Sequence, residues 1–259
     1  MLDPNYIRAE SRSFSLLEKY GIVPPDFDIK DLAFVMGIEV AHGGISDADA
    51  WLVRCDDGKG IIRLSSSITE GVRERFSIAH ELGHWELHPD TKQGYLCTGK
   101  NLRDYGRSPE EAEANWFAAT LLMPRFLIPD LILKRDPDFA FIRNLAKDFR
   151  TSLTAAARRF VELSKQPVVL VSSSNNQVDW IARSKSAGYY FVQPGNMVPQ
   201  YSLTAEAVAA SRSESPMEKM DDPHIWFPDL NFSEDSELFE SVRYSTELDN
   251  ALTLLWILA

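Results

Sequence analysis

Cysteine is almost absent from this chain of 259 residues: there are two, Cys55 and Cys97, and no Cys-x-x-Cys spacing. That argues against a secreted scaffold held by disulfides. Cations are also short, with 27 Lys and Arg against 38 Asp and Glu, a net charge of −11 that opposes phosphate binding. The opening Met-Leu-Asp-Pro-Asn-Tyr has no apolar signal region, and the one long apolar run near the other end, Leu252–Leu258, is too short to span a bilayer. A soluble cytoplasmic protein is expected, with no membrane partner. There is no internal repeat and no phosphate-binding glycine loop.

What is present is ample material for a core. Hydrophobic residues make up 44% of the chain and charged residues 25%, enough for one large domain or two modest ones. Helices are expected over 5–20 and from Asp28 to Met36, with strands near 38–41, 50–55 and 60–65. Asp56-Asp57-Gly58 is the turn signal between the last two strands. This reads as α+β with a small antiparallel sheet, whose edge could pair with an extended peptide.

The chemistry is concentrated in Phe76–Pro89, which contains His80-Glu81-Leu-Gly-His84. H-E-x-x-H is rare by chance in a chain with five histidines. On a helix, residues four apart share a face, so His80 and His84 can hold one metal ion, and Glu81 stands one step round. Phe76, Gly83 and Leu87 lie on the histidine face, while Ile78, Leu82 and Trp85 lie opposite and should enter a core. Gly83 costs about 1 kcal/mol relative to Ala in a helix, which suggests a close backbone or substrate. Pro89 forces His88 out of helical geometry and ends the segment.

A third ligand is expected from the next helix, which opens at Ser108-Pro109 and closes before Pro124. Glu111, Asn115 and Ala118 share one face. Glu111 reads as the ligand and Asn115 as a group that orients a histidine or the ligand. Ser108-x-x-Glu111 is also a capping box; if that were the only job of Glu111, Glu113 would be the fallback ligand. Imidazole nitrogens with one carboxylate suit zinc, one ion per chain, in a site with an open position. His88, Tyr95 and Tyr105 are candidate donors to an oxyanion, since 26 residues separate His84 from Glu111. Cys97 lies in the same interval and reads as an ordinary thiol rather than an inhibitory ligand.

Arg73–His84, R-x-R-F-S-I-A-H-E-L-G-H, and Glu111–Pro124, E-A-E-A-N-W-F-A-A-T-L-L-M-P, resemble the ImmA/IrrE family of zinc metallopeptidases. The likeness extends to Pro25–Val40, Ala50–Arg54 and Gly60–Leu64, and so covers residues 1 to 165. It implies a zincin-like metallopeptidase fold, zinc held by His80, His84 and Glu111, and Glu81 as general base. It further implies a regulatory endopeptidase that cuts a helix-turn-helix repressor and thereby controls transcription in a stress response.

The expected organisation is a metallopeptidase domain over 1–135, a helical segment resembling a helix-turn-helix over 136–165, and an acidic C-terminal unit over 166–259 for sensing or substrate docking. The middle segment has six basic and three acidic residues from 138 to 165. A DNA-binding role is the less favoured reading, because so weak a positive balance is a poor footprint. The C-terminal unit is expected to hold a hairpin, Val168–Val171 with Val178–Arg183, a strand at Tyr189–Val192, a polar loop over Ser211–Asp222 and a buried strand at Leu252–Leu258. Its Tyr189, Tyr190, Phe191 and Trp226 read as core aromatics, and from residue 200 it carries twelve acidic and three basic residues. The competing functional class is a regulator that contacts DNA or a repressor without cutting. A toxin–antitoxin component is a further alternative. Glu81 speaks against a purely structural metal site, which needs no base beside its ligands.

Overall fold

The computed structural model describes residues 3–44, 49–68, 71–89, 95–97, 108–128, 132, 136–230, 232–233 and 235–258. The chain divides into two compact units: Met1–Arg125 with Lys147–Ser152, and Phe126–Ala146 with Leu153–Ala259.

In the first unit, α1 (Tyr6–Tyr20) starts where the Asn5 side chain accepts from Arg8 N–H and stops at Gly21, whose φ of 62° closes the helix in a left-handed turn. The next helix, α2 (Ile29–Val35), is capped by Asp28. It leads into β1 (Ile38–His42), followed by the hairpin β2 (Ala50–Arg54) and β3 (Gly60–Leu64). The long α3 (Val72–Leu87), the short β4 (Tyr95–Cys97) and α4 (Pro109–Leu122) complete this part. Strand order is β1-β3-β2-β4. The hairpin is antiparallel, as the Asp-Asp-Gly turn predicts, but β1 pairs with β3 in parallel, Ile38 opposite Gly60. The sheet is therefore mixed rather than wholly antiparallel. Turn residues betray pairing between consecutive strands, whereas β1 and β3 are not consecutive and leave no local signal.

Helix α3 packs on β2 and β3 with one side and on α4 with another. Ile78 and Leu82 enter the core as expected. The histidine face is buried too, so every residue from Ser77 to His84 is enclosed and the helix is not amphipathic in its central turns. Gly83 explains how α4 comes so near: a Cβ there would lie 3.0 Å from Ala114 Cα and 3.1 Å from its carbonyl oxygen. Gly83→Ala should therefore destabilise the protein by about 1–3 kcal/mol despite the better helix former, since backbone cannot yield as a side chain can. Equilibrium denaturation checks this; an unchanged or raised midpoint would contradict it.

Helix α5 (Phe139–Asp148) is followed by α6 (Leu153–Leu163). In the second unit a five-stranded antiparallel sheet has the order β6-β5-β9-β8-β7. Its strands are β5 (Val168–Ser174), β6 (Gln177–Arg183), β7 (Glu214–Lys219), β8 (Glu237–Ser245) and β9 (Asn250–Leu258), with α7 (Leu203–Ala209) between β6 and β7. The β5–β6 turn is Asn175-Asn176, both at positive φ, 49° and 59°, as a tight hairpin requires. Helix α6 packs on β5 and β6 and buries Ala156, Ala157 and Phe160. No residue of α6 is fully exposed. Arg158 stacks on Trp180 and Arg159 pairs with Glu162, so these two cations are engaged within the fold.

Two expectations for this unit are corrected. Tyr189–Val192 is not a strand, and Tyr189 and Phe191 are 90% and 52% exposed rather than core residues. The alternation is real, with Val192 buried and Tyr190 packed on Phe227 and Phe232. But Tyr190 N–H closes a turn onto Ala187, and the segment has no ladder partner among the described residues. Conversely, the polar stretch 211–222 contains the edge strand β7, which carries Pro216 at a register irregularity between Ser215 and Glu218. A proline that cannot donate to a ladder is tolerated at such a place. Trp226 is buried, and Leu252–Leu258 forms most of β9, next to β5 and β8.

A carboxylate lies inside this unit. Glu240 is fully buried and accepts from the N–H groups of Leu203 and Thr204, the Thr204 hydroxyl and the Trp226 indole. It thus closes the start of α7, although burial raises its pKa. Glu240→Leu leaves those donors buried without an acceptor and should cost on the order of 3 kcal/mol or more, read by denaturant titration. A loss below about 1 kcal/mol would show the carboxylate to be dispensable.

Candidate metal centre

The two histidines and the carboxylate converge from adjacent helices. His80 and His84, one turn apart on α3, bring their Nε2 atoms within 3.0 Å of each other. Glu111, in the first turn of α4, sets Oε2 3.4 Å from His80 Nε2 and Oε1 3.4 Å from His84 Nε2. His80, Glu81 and His84 are all 0% exposed, and Glu111 is nearly buried. Among the described residues this is the group whose ligand atoms could share a metal ion.

The donor set fits zinc on its own geometry. A tetrahedral centre about 2.0–2.1 Å from each ligand places ligand atoms about 3.3 Å apart, close to the separations found here. Each histidine also has its other nitrogen engaged. His80 Nδ1 donates to Asn115 Oδ1 at 3.0 Å, leaving an Nε2 lone pair for the centre. His84 Nδ1 lies 3.1 Å from His88 Nδ1. Burial drives the His84 pKa down to about 3, against the pull of Glu111, so the imidazole is neutral and able to ligate near pH 7. For Glu111, burial works to raise the pKa, but the facing His80 and His84 imidazoles outweigh it and hold the carboxyl below its usual range.

Capping and ligation are compatible in Glu111. Its backbone N–H donates to the Ser108 hydroxyl at 3.3 Å, while its carboxylate turns to the histidines. The half of the capping box that would consume the carboxylate is not formed among the hydrogen bonds of these residues. Glu113 lies elsewhere: it accepts from Asn5 N–H at 2.7 Å and meets His88 Nε2 at 3.2 Å. It is not part of the metal-ligand group. His88 stands on the Nδ1 side of His84, away from the Nε2 atoms. Tyr95 lies on β4, beside Leu52 of β2. Its side chain, that of Cys97 and the whole of Tyr105 lie outside the described residues.

Sequence reasoning missed Arg54 and Arg8. Arg54, on β2, donates to the carbonyls of His84, Trp85 and His88 and stacks on the Trp85 ring, while Arg8 donates to Leu87. Together they satisfy carbonyls at the C-terminus of α3, where the helix dipole favours cations. Neither arginine has a motif that marks it, since each reaches α3 across the fold.

The sequence model of the Peptidase M78 family, described as the IrrE N-terminal-like domain, matches residues 34–161. That span contains His80, Glu81, His84 and Glu111. No curated protein matches the chain.

Proposed function

We propose, from the membership of residues 34–161 in the Peptidase M78 family of IrrE N-terminal-like domains, that the protein is a cytoplasmic zinc-dependent endopeptidase that cuts a helix-turn-helix repressor. The observation that carries the reading is the convergence of His80 Nε2, His84 Nε2 and the Glu111 carboxylate beside the buried Glu81. Zinc held there supplies Lewis acidity, which polarises a peptide carbonyl and makes water acidic enough to lose a proton near neutral pH.

The chain's own groups perform the rest. Asn115 holds the His80 ring so that its Nε2 lone pair faces inward. Glu81, next in sequence to His80, takes the proton from the attacking water on its carboxylate and returns it to the leaving nitrogen. Glu111 supplies the anionic ligand.

The choice of a protein substrate over DNA has support in α6. The helix rests on β5 and β6, and both of its arginines are engaged within the fold, which weakens the case for it as a reader of a major groove. No helix of the described residues is long and apolar enough to cross a membrane.

The test is to incubate zinc-loaded protein with extract of the native host and to identify the new N-termini by mass spectrometry. Cleavage concentrated within one helix-turn-helix protein is expected. Extracts unchanged at every enzyme concentration would favour the non-cutting regulator instead.

A further inference from the structure

The His84 side of the centre continues outward in a line that ends at the N-terminus of α1. Asn5 N–H donates to Glu113 Oε1 at 2.7 Å. Glu113 Oε2 faces His88 Nε2 at 3.2 Å, and His88 Nδ1 faces His84 Nδ1 at 3.1 Å. His84 Nε2 then faces His80 Nε2 and Glu111. His88 and His84 each face a partner with both nitrogens, so while both rings are neutral the hydrogen fixed at Glu113 dictates which nitrogen of each ring carries hydrogen.

The direction follows from the chemistry of the terminal group. A carboxylate accepts hydrogen bonds and does not donate them, so His88 Nε2 carries hydrogen and donates to Glu113. A neutral His88 then has a lone pair on Nδ1, which accepts from His84 Nδ1–H. His84 is thereby left with its lone pair on Nε2, the atom that faces the centre. Were the line reversed, His84 Nε2 would carry hydrogen and could not ligate.

We propose that Glu113 and His88 are positioning residues that act as a tautomer lock, selecting the metal-binding form of His84 through a chain of three directed hydrogen bonds anchored at Asn5. The inference rests on the reading of His80, His84 and Glu111 as zinc ligands, and assigns work to residues outside that set. It also accounts for Glu113, which is buried on α4 yet turned away from the ligand group. The anchor at the N-terminus of α1 sits where a helix favours negative charge.

The lock makes Glu113→Gln an informative substitution. Asn5 N–H at 2.7 Å from Oε1 holds whichever oxygen the new side chain has. The amide NH2 must then face His88 Nε2 and donate to it. His88 is forced to donate from Nδ1, and His84 is pushed into the form with hydrogen on Nε2. Glu110, exposed on the same first turn of α4, provides a substitution of identical charge change outside the line.

Two measurements decide the matter. Long-range proton–nitrogen NMR on zinc-free wild type, at neutral pH, should show His84 with hydrogen on Nδ1 and none on Nε2, and Glu113→Gln should invert or average that pattern. Zinc affinity, from competition with a chromophoric chelator, should fall about 10–100-fold in Glu113→Gln and stay at the wild-type value in Glu110→Gln. Wild-type His84 with hydrogen on Nε2 would overturn the lock, as would wild-type zinc affinity in Glu113→Gln. Failure of the wild type to bind zinc at all would instead sink the peptidase reading, while the NMR pattern would still judge the lock alone.

Discussion

Glu81→Gln is expected to keep zinc and to lower cleavage by about 10²–10⁴-fold, the range that a positioned general base contributes. Gln is nearly isosteric with Glu, so a side chain that is 0% exposed in the tightly packed middle of α3 can be replaced without opening a cavity. What changes is proton affinity: an amide cannot accept the proton that the attacking water must lose. Because Glu81 is one step round the helix from the two histidines, the ligand set stays intact. Metal content by mass spectrometry and single-turnover cleavage of the identified substrate separate the two effects. A variant that cuts at the wild-type rate would remove Glu81 from the mechanism.

His84→Ala is expected to abolish tight zinc binding, lowering affinity by more than the ~100-fold that loss of a supporting hydrogen bond alone can cause. The same experiment has a thermal readout. A ligand present at about 1,000 times its dissociation constant stabilises the native state by about 4 kcal/mol, on the order of 10 °C in Tm for a domain of this size. Wild type should therefore melt at a lower temperature with a chelator than with zinc, and His84→Ala should melt at one temperature in both. Comparing each protein with itself cancels the cavity left by removing a fully buried imidazole. A zinc-dependent Tm in the variant equal to that of wild type would show that His84 is not a ligand.

How much of the site can be read from sequence depends on how local each signal is. The i, i+4 pair His80–His84 is decided by helix geometry alone, and the helix is bounded by Pro89. Ser108 and Pro109 mark the start of α4 equally locally. Glu111 is ambiguous in sequence because its backbone and its carboxylate have separate uses, and the structure employs the first on Ser108 and the second on the histidines. The Asn5–Glu113–His88 line is out of reach, since it joins three segments, with Asn5 and Glu113 lying 108 positions apart and His88 and Glu113 25 positions apart. Arg54 is hidden for the same reason. It caps a helix from a strand 30 residues away.

The fold shows the same division. Hairpins with turn residues, such as Asp56-Asp57-Gly58 and Asn175-Asn176, are legible, whereas the parallel β1–β3 pair is not. Tyr189–Val192 has strand composition without a strand partner among the described residues, and β7 has loop composition with one. Propensity describes a segment, and a sheet is a property of neighbours.

The most direct test of the central claim is capture from native host extract with zinc-loaded Glu81→Gln as bait and wild type alongside. A helix-turn-helix repressor is expected to be retained whole by the variant and recovered as two fragments with wild type. Equal capture by both proteins, with the partner intact, would contradict it and make the metal centre part of a binding regulator.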